Sequence, residues 1–157
     1  MWRRQARLLD RWLAATTHKP LILRGARQVG KTWLVRDLAK RSGRRLLEIN
    51  FERDPRRESL FEPNDPDAVV ANLELFTNRS ISDEGWILFL DEIQAAPRLI
   101  SKLRWFAEER PKLPVVAAGS LLEFALGDRS FSVPAYRLLS LPHYLAWNLG
   151  SILEETT

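Results

Sequence analysis

Residues 25–32 read GARQVGKT and fit the pattern G-x-x-x-x-G-K-[ST] at every fixed position. The apolar run before them, residues 20–24, predicts a buried strand, and the residues after them have helical spacing. Glycines allow such a loop to turn successive backbone N–H groups toward one anion, and the helix that follows adds the positive end of its dipole. The segment therefore predicts a phosphate-binding loop between a strand and a helix.

The loop supplies the candidate nucleotide-binding residues. Lys31 is expected to reach β- and γ-phosphate oxygens, and the Thr32 hydroxyl is expected to coordinate a bridging Mg²⁺. The predicted cofactor-binding residues are Gly25, Ala26, Arg27, Gln28, Val29, Gly30, Lys31, Thr32 and Trp33. Within this set, Trp33 is expected to pack in the helix rather than to stack on a base. The alternative interpretation is a strand-to-helix turn that binds no ligand.

The composition is typical of one soluble globular domain. The chain has 157 residues, 45% of them hydrophobic and 28% charged, and it contains no cysteine. This excludes disulfides, a thiolate nucleophile and cysteine metal sites, and it suits a reducing cytoplasm. No apolar run approaches the roughly 18 residues of a membrane span. The net charge of +4 is compatible with a nucleic-acid partner, but no specific motif for one is present.

The N-terminal segment, residues 1–18, is predicted to form an amphipathic helix. It is basic, and Leu8, Leu9, Trp12 and Leu13 recur at helical spacing. We expect this helix to pack on its own domain; the alternative is a helix that contacts a membrane surface or a partner.

Strand and helix patterns alternate along the rest of the chain. Strands are predicted at residues 20–24, 45–51, 85–90 and 114–118; helices at residues 32–41, 65–76, 97–109 and 121–126; and a loop at residues 52–64. This alternation predicts an α/β fold whose parallel sheet binds its ligand at the carboxyl ends of the strands.

Two adjacent acids end the most apolar predicted strand. Asp91 is expected to hold Mg²⁺ through a water molecule opposite Thr32, and Glu92 is expected to orient and deprotonate the water that attacks the γ-phosphorus. An acid directly after the metal-binding aspartate favours an ATPase over a small-molecule kinase. The alternative is an acid pair that only stabilises a helix N-terminus.

Three further residues are candidates for contacts with the γ-phosphate. Ser120 follows the fourth strand and either contacts the phosphate or the attacking water, or caps the next helix with Glu123 in a capping box. Arg129 and Arg137 are the candidates for the arginine that stabilises the transition state, in their own or a neighbouring subunit.

The segments GARQVGKT, INFE, LFLDEIQ and AAGSLLEF, in this order, resemble a group of prokaryotic AAA-type P-loop ATPases over about residues 1–137. The resemblance implies a three-layer αβα sandwich with strand order 5-1-4-3-2. It also implies an ATPase domain at residues 19–137, with ATP and Mg²⁺ as ligands. In that family a larger C-terminal region follows, ending in a domain of unknown function.

Residues 138–157 match the family's pattern poorly. Tyr136 stands where the family has the glycine of a Gly-Arg pair, which leaves Arg137 as the remnant of that pair. The sequence thus predicts a truncated or disrupted tail with a compromised fifth strand. Our leading hypothesis is an Mg²⁺-dependent ATPase that couples nucleotide state to a protein partner, a second copy or a missing C-terminal domain. The alternative is a catalytically silent nucleotide-binding module.

Overall fold

The computed structural model describes residues 2–120 and 136–141. The chain alternates between helices and strands in the order α1 (Trp2–Ala14), β1 (Leu21–Arg24), α2 (Lys31–Ser42), β2 (Arg45–Asn50), a 3₁₀ helix (Pro55–Phe61), α3 (Pro66–Thr77), β3 (Trp86–Asp91), a 3₁₀ turn (Ile93–Ala95), α4 (Arg98–Glu109), β4 (Val115–Gly119) and β5 (Arg137–Ser140). None of the helices in these ranges combines the length and apolarity needed to cross a membrane.

The five described strands form one parallel sheet with the order β2-β3-β4-β1-β5. Read from the other edge, this is the predicted order 5-1-4-3-2, and the predicted α/β fold is confirmed. Parallel strands need crossover connections, and helices α2, α3 and α4 lie in the connections that join β1 to β2, β2 to β3 and β3 to β4. The carboxyl ends of β1, β3 and β4 consequently lie side by side. We call this end of the strands the carboxyl edge of the sheet.

Strands β1 to β4 divide their side chains between two apolar layers. Ile22, Leu88 and Leu90 face a core shared with α3 and α4, whereas Leu23 and Phe89 face a core shared with α1 and α2. All six residues of β3 are buried, as expected for a central strand covered on both faces. Burial of each such large apolar side chain stabilises the folded state by about 1.5–3 kcal/mol, so the sheet holds the loops at its carboxyl edge in fixed positions.

The structure corrects two expectations about the irregular parts of the chain. Residues 52–64, predicted as a loop, contain the 3₁₀ helix Pro55–Phe61, in which Phe61 is buried against Phe51. The fifth strand, expected to be compromised, is formed: Arg137–Ser140 pairs in parallel with β1. The helix predicted at residues 121–126 lies outside the described residues.

Helix α1 packs on its own domain, as expected. Leu9, Trp12 and Leu13 are buried in the core that α1 shares with α2. The Trp12 indole Nε1 donates to the Lys19 carbonyl at 2.7 Å, and the His18 Nε2 lies 3.0 Å from the Leu13 carbonyl oxygen. These contacts fix the end of α1 and the turn that leads into β1.

Candidate nucleotide-binding site

The loop of residues 25–30 connects β1 to α2 at the carboxyl edge of the sheet. Gln28 and Gly30 have positive φ angles of 62° and 88°, so the backbone curls back on itself before α2 begins at Lys31. Gly30 adopts this conformation without the steric cost that other residues meet. The N–H groups of the first turn of a helix point out of its N-terminus, which here faces the loop. A loop of this backbone conformation before a helix N-terminus is suited to an anion.

Lys31 lies across this loop rather than toward solvent. Its side chain is buried, and its Nζ donates to the carbonyls of Gly25 at 2.9 Å and Ala26 at 2.7 Å. Burial lowers the pKa of the Lys31 ammonium, while the carboxylates of Glu92 and Asp91 act in the opposite direction. The structure therefore brings the predicted lysine and both predicted acids into one electrostatic cluster.

The hydroxyl of Thr32 and the carboxylate of Asp91 meet directly. Thr32 Oγ1 donates to Asp91 Oδ2 at 2.9 Å, which joins the first turn of α2 to the last residue of β3 across 59 positions of sequence. Burial raises the pKa of the Asp91 carboxyl, and the hydrogen bond from Thr32 opposes this shift. The predicted pair is therefore assembled beside the loop.

This pair fits the chemistry of Mg²⁺. A hydroxyl and a carboxylate are hard oxygen donors, and Mg²⁺ in phosphate sites uses one or two protein oxygens, with phosphate and water completing its octahedron. Among residues 2–120 and 136–141, no cluster of three or more histidine, cysteine or acidic side chains is suited to a metal ion. Thr32 and Asp91 are too few to form a closed protein cage, and they would suit a metal ion whose other ligands are phosphate and water.

Glu92 sits in a strained turn directly after Asp91. Its φ and ψ angles of 53° and 45° are left-handed, a conformation that costs a non-glycine residue about 1–2 kcal/mol. Gln94, two residues on, donates from Nε2 to Glu92 Oε2. The Oε1 atom of Gln94 is buried and accepts no hydrogen bond from the described residues. The turn thus fixes the half-buried Glu92 carboxylate through a residue to which the sequence pattern assigned no role.

The remaining sequence-predicted residues fall into different places. Ser120 follows β4 at the carboxyl edge; its hydroxyl is buried and has no hydrogen-bond partner within the described part of the chain. Arg137 is instead the exposed first residue of β5, paired with Leu21 at the amino end of β1. It is therefore not brought to the loop of its own chain. Arg129 and Glu123 lie outside the described residues, and Trp33 packs partly buried against the core.

The end of β5 supports the loop, a contact that the sequence did not reveal. Leu141 is buried, and its N–H donates to the Arg24 carbonyl at 2.7 Å. Arg24 Nε also donates to Ser140 Oγ at 3.1 Å. A Cβ atom on Gly25 would lie 3.0 Å from the Leu141 carbonyl oxygen and 3.0 Å from Val29 Cγ2. The close approach of these backbones explains the glycine at the start of the loop.

Comparison with known proteins yields a family and a fold. Residues 17–140 match the family model described as an AAA domain. No curated protein matches the chain. Among solved structures, the chain is similar to Cdc6p from Pyrobaculum aerophilum, with a TM-score of 0.61 and 20% identity, covering 98% of this chain and 48% of that chain. It is also similar to Drosophila ORC bound to DNA, with a TM-score of 0.61 and 19% identity, covering 95% of this chain and 44% of that chain. The chain thus spans about half the length of these structures. At identities of 19–20%, the structural similarity shows a shared fold and nothing more.

Proposed function

The chain belongs to the AAA domain family, and on this premise we propose that it binds ATP with Mg²⁺ and hydrolyses ATP to ADP and phosphate. The observation that carries the proposal is the hydrogen bond of 2.9 Å between Thr32 and Asp91 beside the loop. It joins the two residue types that hold Mg²⁺ in P-loop ATPases.

Binding is assigned to the loop and its lysine. Backbone N–H groups of residues 25–30 and the N-terminus of α2 take the phosphates. The Lys31 ammonium exchanges its contacts with the Gly25 and Ala26 carbonyls for β- and γ-phosphate oxygens. Mg²⁺, when bound by Thr32 and Asp91, supplies positive charge to the same oxygens.

Hydrolysis is assigned to Glu92. Its carboxylate takes a proton from a water molecule whose oxygen forms a bond to the γ-phosphorus, while the bond from that phosphorus to the β–γ bridging oxygen breaks and ADP leaves. Gln94 donates a hydrogen bond to Glu92 Oε2, so Glu92 Oε1 would accept the proton of the water. The buried Ser120 hydroxyl, which has no hydrogen-bond partner among the described residues, would hydrogen-bond the γ-phosphate or that water.

We further propose that this cycle acts on a partner: a second protein, a second copy of the chain or a further domain. An arginine from a neighbouring subunit, Arg129 or Arg137, would complete the site. The position of Arg137 at the amino end of β5 favours a second candidate function, a nucleotide-binding module that does not turn over alone.

The test is a paired measurement of ATP binding and phosphate release with Mg²⁺ present. We expect Glu92→Gln to retain binding and to lower kcat by about 10²- to 10⁴-fold, the usual contribution of a general base. We expect Lys31→Ala to weaken ATP binding by about tenfold or more.

Matched controls are Glu109→Gln and Lys112→Ala, which alter exposed side chains away from the loop and should leave both measurements unchanged. Binding without turnover in the parent protein would favour the silent module. Binding that does not depend on Lys31 would contradict the assignment of the loop.

A further inference from the structure

Helix α1 presents an arginine face, formed by Arg3, Arg4, Arg7 and Arg11. All four side chains are exposed, and at about 100° per residue they leave the helix within an arc of about 100°. With a rise of about 1.5 Å per residue, the face is about 12 Å long. Because α1 holds only one acid, Asp10, its net charge is +3, against +4 for the whole chain. Most of the chain's excess positive charge therefore lies on one helix of 13 residues.

The arginine face has no carboxylate partner among the described residues. Salt bridges elsewhere hold Arg27, Arg36, Arg41, Arg56, Arg57, Arg104 and Arg110. Asp10, the single acid of α1, pairs with Arg41 of α2 and not with the arginine face. The guanidinium groups of the face are therefore available to an external anion.

This charge arrangement weakens α1 as an isolated helix. Arg3 and Arg4 stand at the positive end of the helix dipole, and the first turn contains no acid to offset them. Arg7 is flanked at four-residue spacing by Arg3 and Arg11, and like charges at this spacing repel. Local rules of this kind are broken mainly where a functional surface requires it.

The opposite side of α1 is already occupied. Leu9, Trp12 and Leu13 are buried in the domain core, so the apolar side is not available for insertion into a bilayer. Leu8 is the one large apolar side chain that α1 exposes among its described residues, at 39%. The Trp12–Lys19 hydrogen bond also holds the helix in place. The partner must therefore be recognised through positive charge on a rigid helix.

We propose that the arginine face of α1 binds the phosphate backbone of a nucleic acid. Guanidinium groups match phosphate oxygens in a bidentate geometry, and arginines four residues apart follow one another about every 6 Å along the helix, so several phosphates are contacted together. Phosphate contacts carry no sequence information, so the binding is independent of base sequence and falls with salt. This inference does not depend on ATP hydrolysis.

The experiment is a fluorescence anisotropy titration of the full chain with labelled duplexes of DNA and of RNA, each about 20 bp long, from about 50 to 200 mM salt. For DNA, the logarithm of the binding constant should fall with the logarithm of salt at a slope of about −0.9 per phosphate contact, or about −3.6 for four contacts. In Arg3→Gln/Arg7→Gln/Arg11→Gln, the slope should shrink by about 2.7. Binding of either duplex supports the proposal, and the difference between them identifies the preferred backbone.

The matched control is Arg56→Gln/Arg79→Gln/Arg98→Gln, which removes the same charge from exposed arginines outside α1. It should keep the parent slope, and circular dichroism should show that both triple variants retain the parent helix content. An equal loss of binding in the two variants would overturn the proposal, as would an absence of duplex binding at the lowest salt. Tighter, face-dependent binding to phosphatidylserine vesicles or to polyglutamate than to either duplex would overturn it too.

Discussion

At the scale of single residues, the turn after β3 determines where the Glu92 carboxylate lies. The left-handed backbone at Glu92 reverses the chain, so the side chain of Gln94 folds back and donates to the carboxylate. The amide keeps a buried oxygen without a partner among the described residues. Gln94 therefore holds Glu92 in position at some cost in desolvation, and its effect should appear in turnover more than in stability.

We expect Gln94→Leu to lower kcat for phosphate release by about tenfold or more. Without the hydrogen bond from Gln94, the Glu92 carboxylate would shift relative to the attacking water, and a displacement of about 1 Å is enough for an effect of this size. ATP affinity should stay at the parent value, since the Gln94 side chain donates its hydrogen bond to Glu92 and not to the loop or Thr32. Folding stability should not fall, because the substitution removes a buried oxygen that has no hydrogen-bond partner among the described residues. Steady-state kinetics measures kcat, and a separate titration measures ATP affinity. If the parent protein hydrolyses ATP and Gln94→Leu has the same kcat, Glu92 is positioned without Gln94.

The residue-level predictions from sequence succeeded where a residue type and its spacing carry chemistry. The pairing of Thr32 with Asp91 was foreseen because a strand end and a helix start must meet at one sheet edge. The role of Gln94 was not foreseen, although it belongs to the LFLDEIQ segment. Nothing in the pattern signals a left-handed glutamate, and only that turn brings Gln94 back to Glu92.

At the scale of elements, β5 closes the sheet and supports the phosphate-binding loop. Its last residues, Ser140 and the adjoining Leu141, contact Arg24 and Gly25 through backbone and side-chain groups. The strand was difficult to predict because its residues do not alternate: Leu138 is 44% exposed, at the edge of the sheet, while Leu141 beyond its end is buried. Pairing with β1, not hydrophobic periodicity, makes residues 137–140 a strand.

We expect Gly25→Ala to lower the free energy of unfolding by about 1–3 kcal/mol, the usual cost of overpacking, and also to weaken ATP binding. The added Cβ would lie 3.0 Å from the Leu141 carbonyl oxygen. Because that oxygen and the Cβ are both attached directly to the backbone, neither can rotate away, and the loop must shift. Urea denaturation and an ATP titration measure the two effects.

Gly43→Ala is the control that separates the loss of folding stability from the loss of ATP affinity. Gly43 has a φ angle of 71° and no neighbour within 4 Å of an added Cβ, so its substitution costs about 1–2 kcal/mol in backbone strain but leaves the loop intact. It should lower stability and keep the ATP affinity of the parent. Parent-like affinity in Gly25→Ala would mean that β5 does not constrain the loop.

At the scale of the whole molecule, the two apolar layers hold the site together from opposite faces of the sheet. Lys31 and Thr32 begin α2 on one face, while Asp91 ends β3, which is buried between the two layers, and Glu92 follows it. The parallel sheet and the location of the site at its carboxyl edge were predictable from the alternation of strand and helix with the GARQVGKT loop, whereas the strand order was implied by the family resemblance. The 3₁₀ helix at Pro55–Phe61 was not, because Phe61 is placed by tertiary contact with Phe51.

We expect ATP with Mg²⁺ to raise the thermal unfolding midpoint. At a ligand concentration about 100 times Kd, binding contributes about 2.7 kcal/mol, which corresponds to about 5–10 °C for a chain of this size. Chelation of Mg²⁺ with EDTA should remove most of the shift. Lys31→Ala should show little shift at the same ATP concentration, and a shift as large as that of the parent would contradict the assigned loop.

The pairing of β1 with β5 has a consequence for synthesis on the ribosome. Arg24 and Ser140 are 116 positions apart, yet they are bonded beside the loop. Strand β1 therefore finds its outer neighbour, β5, only after nearly all of the described chain has been translated. Until then β1 has an unpaired edge, and Gly25 lacks the backbone that lies against it. We expect nascent chains that stop before β5 to be poor ligands for ATP and natural clients for chaperones.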